Sequence, residues 1–149
     1  MNIVLNSVRI DGPIEAVFDL VTTARYWPDW HPSTISVGGV IARPYQLGDS
    51  VRQVATIGGR IRNGTWTVAK HVRPERVTLQ MYEGAIEIRY TFVATHTGTQ
   101  VIRRLAYTSD FVDGGHDLTT FERTMHAESA MGLQQLKRLI EEILRLETD

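Results

Sequence analysis

The apolar positions at the start of the chain change from a strand period to a helix period. Residues 3–10 carry apolar side chains at the spacing of a β-strand, and Asp11-Gly12 ends this run. Pro13 then stands at a position suited to the first turn of a helix, with Asp11 or Gly12 as its cap. Apolar side chains recur at helical spacing over residues 14–21, which predicts one short amphipathic helix.

The stretch RYWPDWHPST, residues 25–34, follows this helix and concentrates aromatic side chains and prolines. A second helical turn is predicted over residues 24–27, because the proline at position 28 disfavours helix in the residue before it. The stretch therefore lies at the end of a helix pair. A hydrophobic plug, a recognition lip and an active-site loop would each explain part of its composition.

Beyond this stretch the chain takes up the period of β-strands. Six segments are rich in β-branched and aromatic residues and are separated by Gly, Pro, Asn or Asp: 34–43, 49–57, 60–72, 76–83, 85–95 and 99–111. Their short spacing favours antiparallel hairpins. In the fifth segment Ile86, Ile88 and Tyr90 share one face, while Glu87 and Arg89 take the other. This alternation indicates a sheet with one face in water.

The helical period returns at the end of the chain, from Asp117 to about Leu146, which corresponds to a helix of ~45 Å. The order of one strand, two short helices, six strands and a long helix is that of an α+β protein. The long helix is the one element able to fill the concave side of the sheet. Since 149 residues is the size of an ordinary domain and no linker interrupts them, residues 1–149 are expected to form a single domain.

Charge and composition exclude several classes of protein. Lys and Arg number 16 against 17 Asp and Glu, so no basic stripe of the kind that binds nucleic acid is present. The absence of cysteine excludes disulfides, thiolate metal sites and a cysteine nucleophile. The N-terminal apolar run is too short for a signal peptide, and no segment approaches the ~20 apolar residues of a membrane span. A soluble cytoplasmic protein, without membrane insertion, is expected.

The N-terminal region resembles a known superfamily. Residues 13–18 read P-x-x-x-V-F, a threonine pair follows at positions 22 and 23, and residues 27–30 read W-P-x-W. Together with the element order, this pattern is similar to the START-like, polyketide cyclase/dehydrase-related (SRPBCC) superfamily. The resemblance implies the helix-grip fold, a seven-stranded antiparallel sheet wrapped around a long C-terminal helix, with a cavity for an apolar or aromatic small molecule. It leaves the chemistry open, because such proteins include cyclases, hydrolases, lipid carriers and passive binders.

The faces of the long helix differ between its two halves. Read at 100° per residue, the C-terminal half has an unbroken apolar stripe: Leu136, Leu139, Ile140, Ile143 and Leu144. The same stripe continues through the N-terminal half as Leu118, Phe121, Glu122, Met125, Ser129 and Gly132. A carboxylate on an inward face must be paired, hydrated or protonated, and glycine within a helix costs about 1 kcal/mol relative to alanine. We interpret this half as a cavity wall. Alternatively, Glu122 pairs with His126 at the edge of the stripe and Gly132 admits a bulky sheet residue such as Trp66.

The predicted cavity has a volume of roughly 300 to 1,000 Å³, the range typical of small-molecule sites. Its expected ligand contacts are Trp30, His31, Trp66, Tyr90, Tyr107, Phe121, Glu122, Met125 and Ser129. Trp27 is expected to plug the junction between helix pair and sheet, and a solvent-facing position is equally compatible with His31. Alternation places Arg103 on the face of Val101 and Leu105. A register error of one residue would reverse that assignment, so Arg103 is not included among the expected contacts.

Catalytic motifs are largely missing from the sequence. It contains no G-x-S-x-G, no H-E-x-x-H, no phosphate loop and no G-x-G-x-x-G after a strand. The five histidines lie too far apart for a local metal motif, so neither a metal nor a cofactor is expected. Asp117, after the Gly114-Gly115 turn and His116, is the expected N-cap of the long helix.

Three functional hypotheses follow. The first is the binding of a small hydrophobic or aromatic molecule, lipid- or polyketide-like, without turnover. The second is an enzyme of the cyclase or dehydratase type, in which Glu122 and a histidine, His31 or His126, act as general acid and base. The third is a protein-interaction domain of the same fold.

Overall fold

The computed structural model describes residues 1–57, 59–111 and 118–148. Its seven strands form one antiparallel sheet in the order β1-β7-β6-β5-β4-β3-β2. The strands are β1 Asn2–Ile10, β2 Thr34–Gly39, β3 Ser50–Ile57, β4 Arg60–Val72, β5 Arg76–Met81, β6 Ile86–Thr95 and β7 Gly98–Tyr107. Strands β2 to β7 are successive hairpin neighbours, and β1 closes the order by pairing with β7. Together with the helices, this confirms the predicted helix-grip α+β fold.

The two short helices after β1 differ in detail from the prediction. Helix α1 spans Ile14–Val21, and Pro13 itself occupies its N-cap rather than Asp11 or Gly12. A 3₁₀ turn, Ala24–Tyr26, leads directly into α2, Trp27–Trp30. The predicted end of helix before Pro28 was therefore wrong. Pro28 lies in the first turn of α2, where its missing N–H group would have no helical partner in any case.

The long C-terminal helix, α3, spans Leu118–Thr148 and packs against β1 and α2. Its buried positions are Phe121, Met125, Ser129, Gly132, Leu133, Leu136 and Ile140. The expected cap at Asp117, with residues 114–116, lies outside the described residues. Within the described part of the chain, no helix is long and apolar enough to cross a membrane.

The buried line along α3 explains why Glu122 is exposed although the sequence predicted it to face inward. In the N-terminal half the buried residues follow the i, i+4 row from Phe121 through Met125 and Ser129 to Leu133. Such a row is inclined to the helix axis. A straight stripe at 100° per residue therefore diverges from the actual contact line, and Glu122 falls on its outer side.

Gly132 has a packing role, but against a different element from the sheet residue suggested by the sequence. A Cβ atom at this position would lie 3.3 Å from Pro32 Cδ and 3.6 Å from the Trp30 carbonyl oxygen. The glycine thus lets the W-P-D-W-H-P segment approach α3 closely, and its neighbour is this segment rather than Trp66. The close approach fixes the segment that carries Trp30 and His31.

Candidate ligand-binding cavity

A cavity lies between the inner face of the sheet, the segment that ends α2, and the N-terminal half of α3. Its apolar and aromatic lining residues are Trp27, Trp30, Ala55, Ile57, Trp66, Leu79, Ile86, Ile88, Tyr90, Leu105 and Met125. Its polar lining residues are His31, Ser33, Gln53, Arg103, Glu128 and Ser129. The wall is thus mainly apolar, with a small number of polar groups, as is typical of small-molecule sites.

The cavity volume is ≈ 50 Å³, which is room for a few water molecules and far below the predicted 300 to 1,000 Å³. The size prediction was therefore wrong for this conformation. Four aromatic rings and the Arg103 side chain fill much of the space between sheet and helix. The sequence pattern does not give the rotamers of these side chains, so it could not predict how much space they fill. A molecule larger than a few atoms enters only when lining side chains move.

Arg103 is the most unusual residue of this lining. It lies on β7 between the buried residues Val101 and Leu105, and only 3% of its surface is exposed. Its Nε donates to the Tyr90 hydroxyl at 3.3 Å and its Nη1 donates to Ser129 Oγ at 3.0 Å. No carboxylate of the described residues lies within 4.0 Å of the guanidinium. The arginine charge is thus buried against two neutral hydroxyls.

His31 follows α2 and lies in the cavity wall beside Thr34 and Ser33. Its Nδ1 is 2.8 Å from Thr34 Oγ1 and 3.2 Å from Ser33 Oγ, and its ring meets Trp30 edge-on at 5.8 Å. Burial, aided by the positive charge of Arg103, lowers the pKa of His31 from 6.5 to about 3. The imidazole is therefore neutral at physiological pH.

A chain of hydrogen bonds connects this histidine to Trp66 on β4, across the β2 end of the sheet. Trp66 Nε1 donates to Gln53 Oε1 at 2.8 Å, and Gln53 Nε2 donates to Thr34 Oγ1 at 2.6 Å. Thr34 in turn contacts His31. The chain joins β4, β3 and β2 and satisfies the buried indole N–H group of Trp66, so it fixes one wall of the cavity.

The other charged lining residue is Glu128, which lies on α3 and is partly exposed. Burial raises the pKa of Glu128, and the positive charge of Arg103 offsets part of this rise. Three lining residues are partly exposed: His31, Ile88 and Glu128. These three residues indicate where the cavity approaches the surface.

The structure brings six of the nine predicted contacts to the cavity: Trp30, His31, Trp66, Tyr90, Met125 and Ser129. Trp27 also borders it and packs edge-on against Tyr45, with ring centroids 6.4 Å apart. The alternation that placed Arg103 on the inner face is confirmed.

Three predicted contacts, Tyr107, Phe121 and Glu122, do not line the cavity. Tyr107 and Phe121 pack against each other at 5.3 Å and against Phe111, in an aromatic cluster where α3 begins. The Glu122 side chain is exposed, and its negative charge adds to burial in raising the pKa of Tyr107. Its predicted position inside the cavity was wrong, because the buried row of α3 runs past it. His126 is exposed as well and contacts Asn6 Nδ2 at 3.2 Å.

Sequence reasoning missed Gln53, Ser33 and Glu128 as lining residues. Gln53 alternates with the buried apolar residues Val51 and Ala55, so it is a polar side chain on an otherwise apolar strand face. A polar residue on an otherwise apolar face was the reason for including Ser129 among the predicted contacts, and the same pattern could have identified Gln53. Among the described residues, no group of three or more His, Asp or Glu side chains could hold a metal ion.

The chain belongs to the polyketide cyclase / dehydrase and lipid transport family, whose sequence model matches residues 1–141. No curated protein matches it at a significant level. Its fold is similar to that of a START superfamily protein from Mycobacterium smegmatis, with a TM-score of 0.75, 15% identity, and coverage of 95% of this chain and 98% of that one. It is also similar to the Aha1 dimer protein from Colwellia psychrerythraea, with a TM-score of 0.70, 18% identity, and coverage of 95% and 97%.

A third similar structure is the di-domain ARO/CYC BexL from the BE-7585A biosynthetic pathway. The TM-score is 0.69 at 22% identity, and the match covers 95% of this chain and 47% of BexL. At these identities the structural matches establish the fold and leave the ligand open.

Proposed function

We propose that this protein binds a small hydrophobic or aromatic molecule, lipid- or polyketide-like, in the cavity between the sheet and α3. The observation that carries the proposal is the composition of the wall. Large aromatic side chains surround a small space in which a few fixed polar groups converge, an arrangement suited to bind and orient one small molecule. The family, which includes lipid transport proteins and polyketide cyclases, supports the same function.

Binding requires the cavity to expand from its present ≈ 50 Å³. Met125 is unbranched and flexible, so it can change rotamer more easily than the tryptophans that surround it. The partly exposed side chains of His31, Ile88 and Glu128 lie where the cavity approaches the surface. We therefore place the entrance among these residues.

Binding without turnover is better supported than acid–base catalysis. A general base works best when its pKa lies near the working pH, and the pKa of His31 is about 3. The acid–base pair suggested by the sequence does not meet, because Glu122 is exposed and His126 contacts Asn6 outside the cavity. A carrier or receptor needs only the apolar wall and its polar anchors.

The test is to fill the cavity and compare binding of 2-naphthol, a neutral aromatic probe, by isothermal titration calorimetry. Ala55 lines the cavity, so Ala55→Phe should weaken binding at least about tenfold by occupying the free space. The matched control is Thr56→Phe, since Thr56 is the next residue of β3 and is exposed. Equal binding by the wild type and both variants would show that the probe binds elsewhere.

A further inference from the structure

We infer that the molecule bound in this cavity carries an acidic group, a carboxylate or another ionised oxygen, and that this group pairs with Arg103. The inference rests on the proposed function and specifies the chemical class of the ligand. Its basis is a buried cation for which the described residues provide no anionic partner.

Burying the charge of Arg103 costs free energy. An ionised side chain that is removed from water must be compensated by an opposite charge or by a full set of hydrogen bonds. Arg103 is 3% exposed and makes two hydrogen bonds, to the Tyr90 and Ser129 hydroxyls. Fewer than half of the guanidinium N–H donors are therefore used within the described part of the chain. An arginine that remains charged in such a position is suited to receive an anion.

The polar groups around Arg103 are mainly neutral. His31 is neutral, and Gln53, Ser33 and Ser129 carry no charge. Glu128 lines the same cavity, but its carboxylate is partly exposed and lies beyond 4.0 Å from the Arg103 nitrogens. Arg103 therefore carries the positive charge among the described lining residues. No carboxylate of the described residues is paired with it, so an acid that enters the cavity would not have to displace one.

The shape of the guanidinium also suits an acidic ligand. The planar guanidinium presents N–H groups in a fork that matches a carboxylate. The Tyr90 and Ser129 hydroxyls hold this fork from β6 and α3, so its orientation is fixed before the ligand arrives. The surrounding tryptophan and aliphatic side chains would contact the apolar remainder of the ligand. The site therefore favours an aromatic or aliphatic acid over a neutral molecule of equal size.

The experiment compares 2-naphthoate with 2-naphthamide, which has nearly the same shape without the charge, and benzoate with benzamide as a smaller pair. Isothermal titration calorimetry at neutral pH should show that the wild type binds each acid at least about tenfold more tightly than its amide. In Arg103→Met this preference should disappear. The matched control is Arg104→Met, because Arg104 takes the opposite face of β7 and lies 3.8 Å from Glu87 Oε1.

Equal affinity of the wild type for acid and amide would overturn the inference and leave the proposed function intact. Retention of the preference in Arg103→Met would also overturn it, because another group would then bind the acid. If neither member of either pair binds, both the inference and the proposed function fail. The comparison of the two probes with the wild type needs no variant, so it stands even if Arg103→Met does not fold.

Discussion

Strand β7 passes through two regions of the interior that are packed in different ways. The ring centroids of Phe111 and Phe121 lie 6.4 and 5.3 Å from that of Tyr107. These aromatic side chains fill the space between β7 and the first turn of α3. Four residues earlier on the same face, Arg103 donates hydrogen bonds to the Tyr90 and Ser129 hydroxyls, its two hydrogen-bond partners among the described residues, beside a cavity of ≈ 50 Å³. The sheet and the helix are the same in both regions, so the difference arises from the side chains.

The side chains around Tyr107 stabilise the fold, whereas those around Arg103 are available to a ligand. In the aromatic cluster of Tyr107, Phe111 and Phe121, the buried surface is mainly apolar, and the Tyr107 hydroxyl is its one polar side-chain group. In the cavity, charge and hydrogen-bonding capacity are buried without full compensation. Natural proteins accept such a cost mainly where function requires it.

The largest effect is expected in the aromatic cluster. Phe121→Ala should lower the free energy of unfolding by about 3–5 kcal/mol, because it leaves a hole among closely packed rings. Urea denaturation would measure the loss. Because Phe121 does not line the cavity, the affinity for 2-naphthoate of the protein that remains folded should change less than twofold. A loss of stability below about 1 kcal/mol would contradict the view that this cluster is solid core.

A pH-dependent effect is expected on the cavity side, at His31. The pKa of His31 is about 3 in the folded protein, against the ordinary value of 6.5 that applies to the unfolded chain. As the pH falls, the imidazole is therefore protonated in the unfolded chain before it is protonated in the folded protein. The stability contributed by the neutral ring is fully present above pH 6.5 and is lost toward pH 3, at up to about 1.4 kcal/mol per pH unit. Denaturation between pH 7 and 4.5 should therefore show a steeper fall for the wild type than for His31→Gln. Parallel pH profiles would mean that folding does not lower the pKa of His31.

A smaller effect is expected at Ser129, which contacts Arg103. Ser129→Ala should lower the free energy of unfolding by about 1–3 kcal/mol, because it removes one of two partners of a buried charge. Ser129→Thr keeps the hydroxyl and should restore most of the loss. The control is Ser7→Ala, because Ser7 is an exposed residue of β1. Its free energy of unfolding should stay within about 0.5 kcal/mol of the wild-type value. An equally small change for Ser129→Ala would show that Arg103 does not depend on this hydroxyl.

The smallest effect is expected at Glu122. Because its side chain is exposed, Glu122→Gln should change the free energy of unfolding by less than about 0.5 kcal/mol and leave 2-naphthoate affinity unchanged. Calorimetric titration and urea denaturation of this one variant test both statements. A tenfold loss of affinity would return Glu122 to the binding site and contradict its position on the outer side of α3.

The element order and the face that Arg103 shares with Val101 and Leu105 could be predicted because they depend on local periods. Whether that face points inward depended on the register, which the structure supplies through the burial of all three residues. The order and approximate positions of β3 to β7 likewise follow from runs of β-branched residues between turn residues. Their ends were predicted less well, because β5 ends at Met81 rather than residue 83 and β7 ends at Tyr107 rather than residue 111. Where the local pattern alone determines a feature, one sequence was sufficient.

The position of Glu122 and the volume of the cavity depend on features beyond the local pattern. The buried row of α3 is set by the angle at which the helix crosses its neighbours, and a helical wheel does not contain that angle. The volume depends on the rotamers of the aromatic rings and of Arg103. The hydrogen bonds from Trp66 through Gln53 to Thr34 require the pairing of three strands, which is set by tertiary structure.

A crystal structure of the wild-type protein with 2-naphthoate tests most directly whether Arg103 binds the acidic group of a ligand in the cavity. We expect the naphthalene ring to lie among Trp30, Trp66 and Leu105, in an enlarged cavity, and the carboxylate to accept hydrogen bonds from the Arg103 guanidinium at about 2.7–2.9 Å. A naphthoate bound outside the cavity, with Arg103 still bonded only to Tyr90 and Ser129, would contradict this expectation.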